Sequence, residues 1–402
     1  MNLLVDSCVC NSEKILTNIN IRINSPVLKQ GGKHFDCKNS IAYPPFINSH
    51  DHLISNWYPK AGFGHTYTNV NAWVEDMKKT ESFLERNKIW INDGSFDLTD
   101  PTAYQIVLLG IYKNLFSGCT IVQDHIPRQK PKYYQNTPIE VLKEYTQLHS
   151  LSLGNWWGGE NAQTEYKKSG GKLPFIIHLG EGTDKTAAEC FPKLKKLDLL
   201  KPNTLLIHGI ALTRDQIKEC AQAGASICWC PNSNFYLIGK TLDIDACLEY
   251  KVNVVLGTDS TMSGSVNLLE EFQFAHEKFP DIPLKQIFNM ITINAVKALK
   301  LAPDCGTIEK ETSNLLLIRK NKKDPFENLL STKMEDIELL IHKGSPIYGN
   351  TNFLKQFDVD HNNYFFFRND KFVLGHPEKI VASFNKQLGY KKPFPYLPFN
   401  IN

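Results

Sequence analysis

The chain has 402 residues, of which 42% are hydrophobic and 22% charged, with a formal net charge of +3. Such a length suits a large barrel with an accessory domain, and a charge so near balance, with no clustered basic excess, argues against a nucleic-acid partner. Ten cysteines are too few for a disulfide scaffold, and no apolar run approaches the ~20 residues of a membrane span, so a soluble, cytoplasmic chain with reduced thiols is expected.

Residues 1–40 hold a short β-like run, Ile19–Ile23, and an apolar N-terminus that Asp6 interrupts, a poor signal peptide. From about residue 41, β-rich runs alternate with helical patterns, which points to a parallel sheet with crossover helices. The predicted strands are Ile41–Asn48, Cys119–Asp124, Pro174–His178, Thr204–His208, Ser226–Cys230 and Val252–Thr258. Between the fourth and fifth of these, Thr213 and Gln216 form a capping box and Gly224 follows the helix they open. His178, His208, Cys230 and Asp259 close successive strands at intervals of one βα unit each. The interval from His50 to Asp124 is long enough for three such units. This makes the Asp124 strand the fourth and the Asp259 strand the eighth, and the fold class α/β: a (β/α)8 TIM-type barrel over 41–304. Segments 1–40 and 305–350, the latter with Leu315–Ile318 and Glu338–Ile341, are expected to pair as a small β-sandwich-like domain. Residues 351–402 form a C-terminal extension rich in Phe, Tyr and Asn, read as a surface-docked tail that can touch a second copy in a homo-oligomer, a dimer at the simplest.

The chemistry starts with the histidines. In Asn48-Ser-His50-Asp-His52 the two imidazoles lie two residues apart on extended backbone and project to the same side. Alone, such a pair is weak evidence. Here His178, His208 and Asp259 stand at other strand ends of the same predicted barrel, and imidazoles with one carboxylate and an open position make a catalytic divalent-metal site. Cys228-Trp-Cys230 also turns two potential ligands to one side, but no second pair accompanies it, so core packing is favoured.

These runs resemble the amidohydrolase superfamily, in particular its mononuclear branch of deaminases and triazine hydrolases. The residues that carry the likeness are Phe46–Leu53, Phe175–Glu181, Leu206–Gly209, Cys230–Leu237, Leu256–Ser260 and Leu268–Glu271. The resemblance implies that His50, His52, His178 and Asp259 hold one divalent ion, Zn2+ first and Fe2+ as the alternative. It gives His208 the task of orienting the attacked centre and Glu181 that of shuttling protons, with Asp259 also catalytic. Binuclear members carry a lysine on the fourth strand, and Cys119–His125 has none, which favours one metal. Trp229 stands where nucleobase deaminases usually have histidine, a departure from a standard nucleobase site.

His125 is weighed evenly between substrate contact and a core histidine. Trp57, Trp229 and Asn232 are candidate substrate contacts as well. Trp57, Trp73, Trp156 and Trp157 fall in predicted loops, where ordinary packing is the safer reading. The expected activity is C–N hydrolysis of a small, planar or heterocyclic substrate. Dechlorination, ester or lactone cleavage at the same site is the alternative, and a non-catalytic scaffold the third reading.

Overall fold

A computed structural model describes residues 1–29, 33–90, 97–154 and 160–400. The chain opens with β1 (Asn2–Asn11), β2 (Lys14–Ile23) and β3 (His34–Tyr43). The central strands follow as β4 (Phe46–Asp51), β5 (Cys119–Asp124), β6 (Glu140–Val141), β7 (Thr146–Ser150), β8 (Phe175–Leu179), β9 (Thr204–His208), β10 (Ser226–Trp229) and β11 (Asn253–Leu256). The chain closes with β12 (Glu311–Thr312), β13 (Leu315–Arg319), β14 (Ile337–His342), β15 (Ser345–Asn350), β16 (Tyr364–Phe367) and β17 (Lys371–Leu374).

Strands β4 to β11 pair only in parallel, in a three-stranded sheet β4-β5-β6 and a five-stranded sheet β11-β10-β9-β8-β7. Strands β8 and β9 are buried throughout, which is why they read as unbroken apolar runs rather than alternating ones. Ile47, Ile121, Ile176, Leu205, Cys228 and Val255, one from each of six strands, meet in a single apolar cluster. Phe46, Val122, Phe175, Leu206, Ile227 and Val254, their chain neighbours, face a second cluster shared with the surrounding helices. Cys228 and Cys230 belong to the first cluster, as packing residues.

Two strand assignments need correction. The expected strand Ile41–Asn48 is two strands in different sheets, because Pro44 and Pro45 offer no N–H to a ladder. And β5 is the second parallel strand, not the fourth. The interval before it holds helices Val70–Met77, Glu81–Ile89 and Pro101–Phe116 instead of three βα units. The last of these is apolar on nearly every face, with Asp100 capping it and Pro101 at its first turn. The fourth strand is β7, Thr146-Gln-Leu-His-Ser150, which also lacks a lysine. The later numbering stands, with His178, His208 and Asp259 at or just past the fifth, sixth and eighth strands.

Both termini join one nine-stranded sheet of order β12-β2-β1-β3-β13-β14-β15-β17-β16. It is a single hydrogen-bonded sheet where two packed sheets were expected. Alternation sets its two faces: Leu316 and Ile318 enter the main core, while Leu315 and Leu317 pack with Leu3, Val5, Leu339 and Phe372.

The tail is more than a surface strap. Beyond helix Pro377–Leu388, Phe394 packs edge-on to Trp57 with ring centroids 5.5 Å apart. Tyr396 is fully buried, its hydroxyl donating to the Asn56 carbonyl at 2.7 Å. Among the described residues, no helix is long and apolar enough to cross a membrane.

Candidate active site

The C-terminal ends of the parallel strands bring the singled-out polar residues together. His50 and His52 leave β4, His178 ends β8 and His208 ends β9, while Asp259 follows β11 in a loop. His52 Nε2 lies 3.3 Å from Asp259 Oδ1 and His50 Nε2 lies 3.7 Å from it. The His50 and His178 rings stand 4.9 Å apart. Three overlapping groups have ligand atoms within 4.8 Å of one another: His50, His52 and Asp259; His50, His178 and His208; and His125, His149 and His178.

Local backbone makes this convergence possible. His208 and Asp259 hold left-handed φ values of 72° and 53°, a strain of order 1–3 kcal/mol each that concentrates at functional sites. The Asp259 N–H donates to the His50 carbonyl at 3.2 Å, tying the β11 end to β4. Gly257 permits the approach, since a Cβ there would lie 2.7 Å from His50 Cβ.

Three of the imidazoles are anchored from behind. Nδ1 of His178 meets the His149 carbonyl at 2.8 Å, Nδ1 of His208 meets Asn234 Oδ1 at 2.8 Å, and Nδ1 of His50 meets Gln123 Oε1 at 3.4 Å. This fixes the tautomer and turns the other nitrogen inward. Asp259 Oδ2 accepts from Ser233 and Ser263 at 2.7 and 2.6 Å, which leaves Oδ1 toward the histidines.

Electrostatics match that arrangement. Burial pushes the imidazoles of His50, His52 and His178 below the ordinary histidine range, so they are neutral at pH 7. Burial alone would raise Asp259, but His52, His50 and His208 outweigh it and hold the carboxylate ionised. Glu181 goes the other way. Burial, and then the charge of Asp259, raise it well above the usual carboxylate range, and its Oε1 lies 3.5 Å from His208 Nε2. Burial thus brings together imidazoles biased to the neutral form, the Asp259 carboxylate and a Glu181 carboxyl biased toward its acid form.

A cavity of about 260 Å³ opens on this cluster, with His52, His178, Glu181, His208 and Asp259 in its wall. Residues 171–318 of the chain match the amidohydrolase family. A 5-methylthioadenosine/S-adenosylhomocysteine deaminase from Thermococcus sibiricus is 32% identical over 376 residues, 81% of this chain and 87% of that protein. The chain belongs to the amidohydrolase family. A deaminase of the same description from Pyrococcus abyssi is 30% identical over 196 residues, 42% of this chain and 45% of that one, so the match spans less than half of that relative. This amidohydrolase also shares its fold with atrazine chlorohydrolase from Arthrobacter aurescens TC1, solved with zinc, at a TM-score of 0.70 and 17% identity over 96% of this chain and 99% of the other.

The expected substrate contacts do not converge on the cavity of this amidohydrolase. Trp57 is buried against Phe384 and Phe394, its indole N–H donating to Glu85 at 2.7 Å. Trp229 donates to Thr241 at 2.8 Å and packs on Phe279. Asn232 accepts from Lys60 at 2.5 Å. None of the three is among the residues that line the cavity. His125 sits behind His178, ring centroids 4.4 Å apart. Trp73 does line the cavity, whereas Trp156 and Trp157 lie outside the described residues.

Two ionisable wall residues escaped sequence reasoning. His149 closes β7, a five-residue strand of mixed polarity that gave no periodic signal. Arg86 sits on helix Glu81–Ile89, whose charged sequence reads as a solvated face, yet it is only 4% exposed.

Proposed function

We propose that this chain is a metal-dependent hydrolase that cleaves a C–N bond of a small heterocyclic molecule, releasing an amine or ammonia. The observation that carries the reading is a buried Glu181, its Oε1 3.5 Å from His208 Nε2, beside a cluster of histidines and one aspartate in a single cavity. We also infer that β4 to β11 close as a (β/α)8 barrel, with the nine-stranded sheet as an accessory domain beside it and residues 351–402 a C-terminal extension.

The donors fit a divalent ion. His50 Nε2 is buried with no hydrogen-bond partner, an expense that a bound cation removes, and neutral imidazole with carboxylate suits zinc, or iron as the second choice. His50, His52, His178 and Asp259 would hold it, one ion per chain. When bound, the ion supplies Lewis acidity that makes water a nucleophile near neutral pH.

The chain's own groups do the rest. His208, fixed by Asn234, orients the attacked centre through Nε2. Glu181 first gives its acid proton to the substrate, and the carboxylate so formed takes the proton of the attacking water. The C–N bond breaks as Glu181 passes that proton to the departing nitrogen and regains one from the new hydroxyl as the carbonyl forms. A raised Glu181 favours leaving groups that need protonation, so amines are preferred over chloride. Ammonia release from a panel of aminopyrimidines, aminopurines and primary amides, with metal-loaded protein, tests the reading. No release from any member by protein that holds its ion would overturn it.

A further inference from the structure

The cavity wall carries a second buried charged group. Arg86 lines the cavity, with Phe83 and Trp90 against its guanidinium at 5.0 and 5.2 Å to the ring centroids. Every hydrogen bond it makes goes to a neutral acceptor. Nη1 reaches the Ile54 carbonyl and Ser55 Oγ, each at 3.3 Å, while Nε and Nη2 share Asn87 Oδ1 at 3.2 and 2.9 Å. A guanidinium has five N–H donors, so this set leaves one unused. Among the described residues no carboxylate pairs with it, in contrast to Lys113, another buried cation, which has Asp51 at 3.1 Å. Buried charges are normally paired. A cation left without a counter-ion on the wall of a ligand cavity is the arrangement expected where the ligand brings the charge.

We propose that Arg86 forms a subsite in this cavity for an acidic group of the substrate, a carboxylate in the first instance. The proposal rests on the hydrolase reading above and narrows its substrate to an amine-bearing acid. The same wall carries the apolar side chains of Val70, Val74 and Met77. The substrate thus carries its scissile C–N bond at the histidines, an apolar body along that wall and its anion on Arg86. Orientation follows from the Arg86 charge, which holds the anion on the guanidinium. Burial lowers the Arg86 guanidinium to about 10, still protonated at neutral pH, and an anion beside it would reverse that shift.

The test uses 3-phenylpropanoate and its neutral amide, 3-phenylpropanamide, as probes of equal shape. Binding is followed by tryptophan fluorescence, since Trp73 and Trp90 line the cavity, with metal-loaded and with chelator-treated protein. The expected result is at least tenfold tighter binding of the acid in both forms. In Arg86→Met that preference should vanish while amide binding stays unchanged, and Arg86→Lys should keep part of it. Equal binding of acid and amide to the unaltered protein overturns the subsite without any variant, so a poorly folding Arg86→Met does not rescue it. An acid preference lost on chelation also overturns it, because the carboxylate would then sit on the ion. The reaction stands or falls apart from this: ammonia release with a KM for acidic substrates unmoved by Arg86→Lys or Arg86→Met sinks the subsite and leaves the hydrolase. An Arg86-dependent acid preference with no ammonia from any amine-bearing acid upholds the subsite and removes the hydrolase reading.

Discussion

The Lys113 ammonium donates to the backbone carbonyl of Asp259 at 3.1 Å while it pairs with the Asp51 carboxylate, also at 3.1 Å. Neither side chain is exposed. The same ammonium reaches Asn56 Oδ1 at 2.8 Å and Thr258 Oγ1 at 3.1 Å, so one cation ties the β4 exit to the β11 exit beneath the histidines. Removing one partner of a buried pair leaves a charge stranded and costs about 3–5 kcal/mol. Lys113→Met should therefore lower the denaturation midpoint and weaken metal retention together. A variant that keeps both would show that Asp259 is positioned by its own loop alone.

Metal stoichiometry should be one ion per chain. His178 belongs to two of the three possible ligand groups, but its Nδ1 is engaged by the His149 carbonyl, leaving one nitrogen to give. The ion at His50, His52 and Asp259 takes that nitrogen, which leaves the group of His125 and His149 without its third ligand. Elemental analysis that returns two tightly held ions would refute this.

His178→Ala should lose metal and activity while the fold survives. The site is preformed, with Nδ1 anchors that belong to other elements of the fold. Circular dichroism and elemental analysis on the same sample decide it, and collapse of the fold on metal loss would make the ion structural instead.

Glu181→Gln keeps the shape of the side chain but carries no exchangeable acid proton. General acid–base catalysis contributes ~10²–10⁴-fold, so kcat should drop by that order while metal content holds. Burial and Asp259 raise the Glu181 carboxyl. An acid must be protonated to donate, so activity should decline as pH rises through that elevated value, and the Gln variant should lose this limb of the profile. Near-normal turnover by the variant would remove Glu181 from the mechanism.

The tail makes a local prediction. The Tyr396 hydroxyl is buried on the carbonyl of Asn56, a residue that also donates to Asp51 at 2.9 Å. Tyr396→Phe should cost about 1 kcal/mol, seen as a lower denaturation midpoint with kcat little changed. A large loss of metal in this variant would mean that the tail sets the site geometry directly.

Sequence by itself determined the strands that carry the chemistry and the histidines at their ends. Phe175–Leu179 and Thr204–His208 are short apolar runs bounded by polar residues, and the capping box of Thr213 and Gln216 marks its helix without help from the rest of the fold. Such signals are local: they rest on periodicity and on backbone groups a few residues apart. Strand order was less legible, because the stretch before β5 is long enough for βα units yet packs as helices, and chain length alone cannot distinguish the two. Partners of buried charges were not legible at all. Arg86 and Lys113 lie in helices of ordinary composition, and nothing near them in the chain says that one meets a cavity and the other Asp51, 62 residues away. Tertiary structure alone decided those environments, since desolvation and charge pairing depend on what folds against a side chain. The elevated Glu181, the neutral histidines and the unpaired guanidinium are consequences of burial, which sequence spacing does not encode.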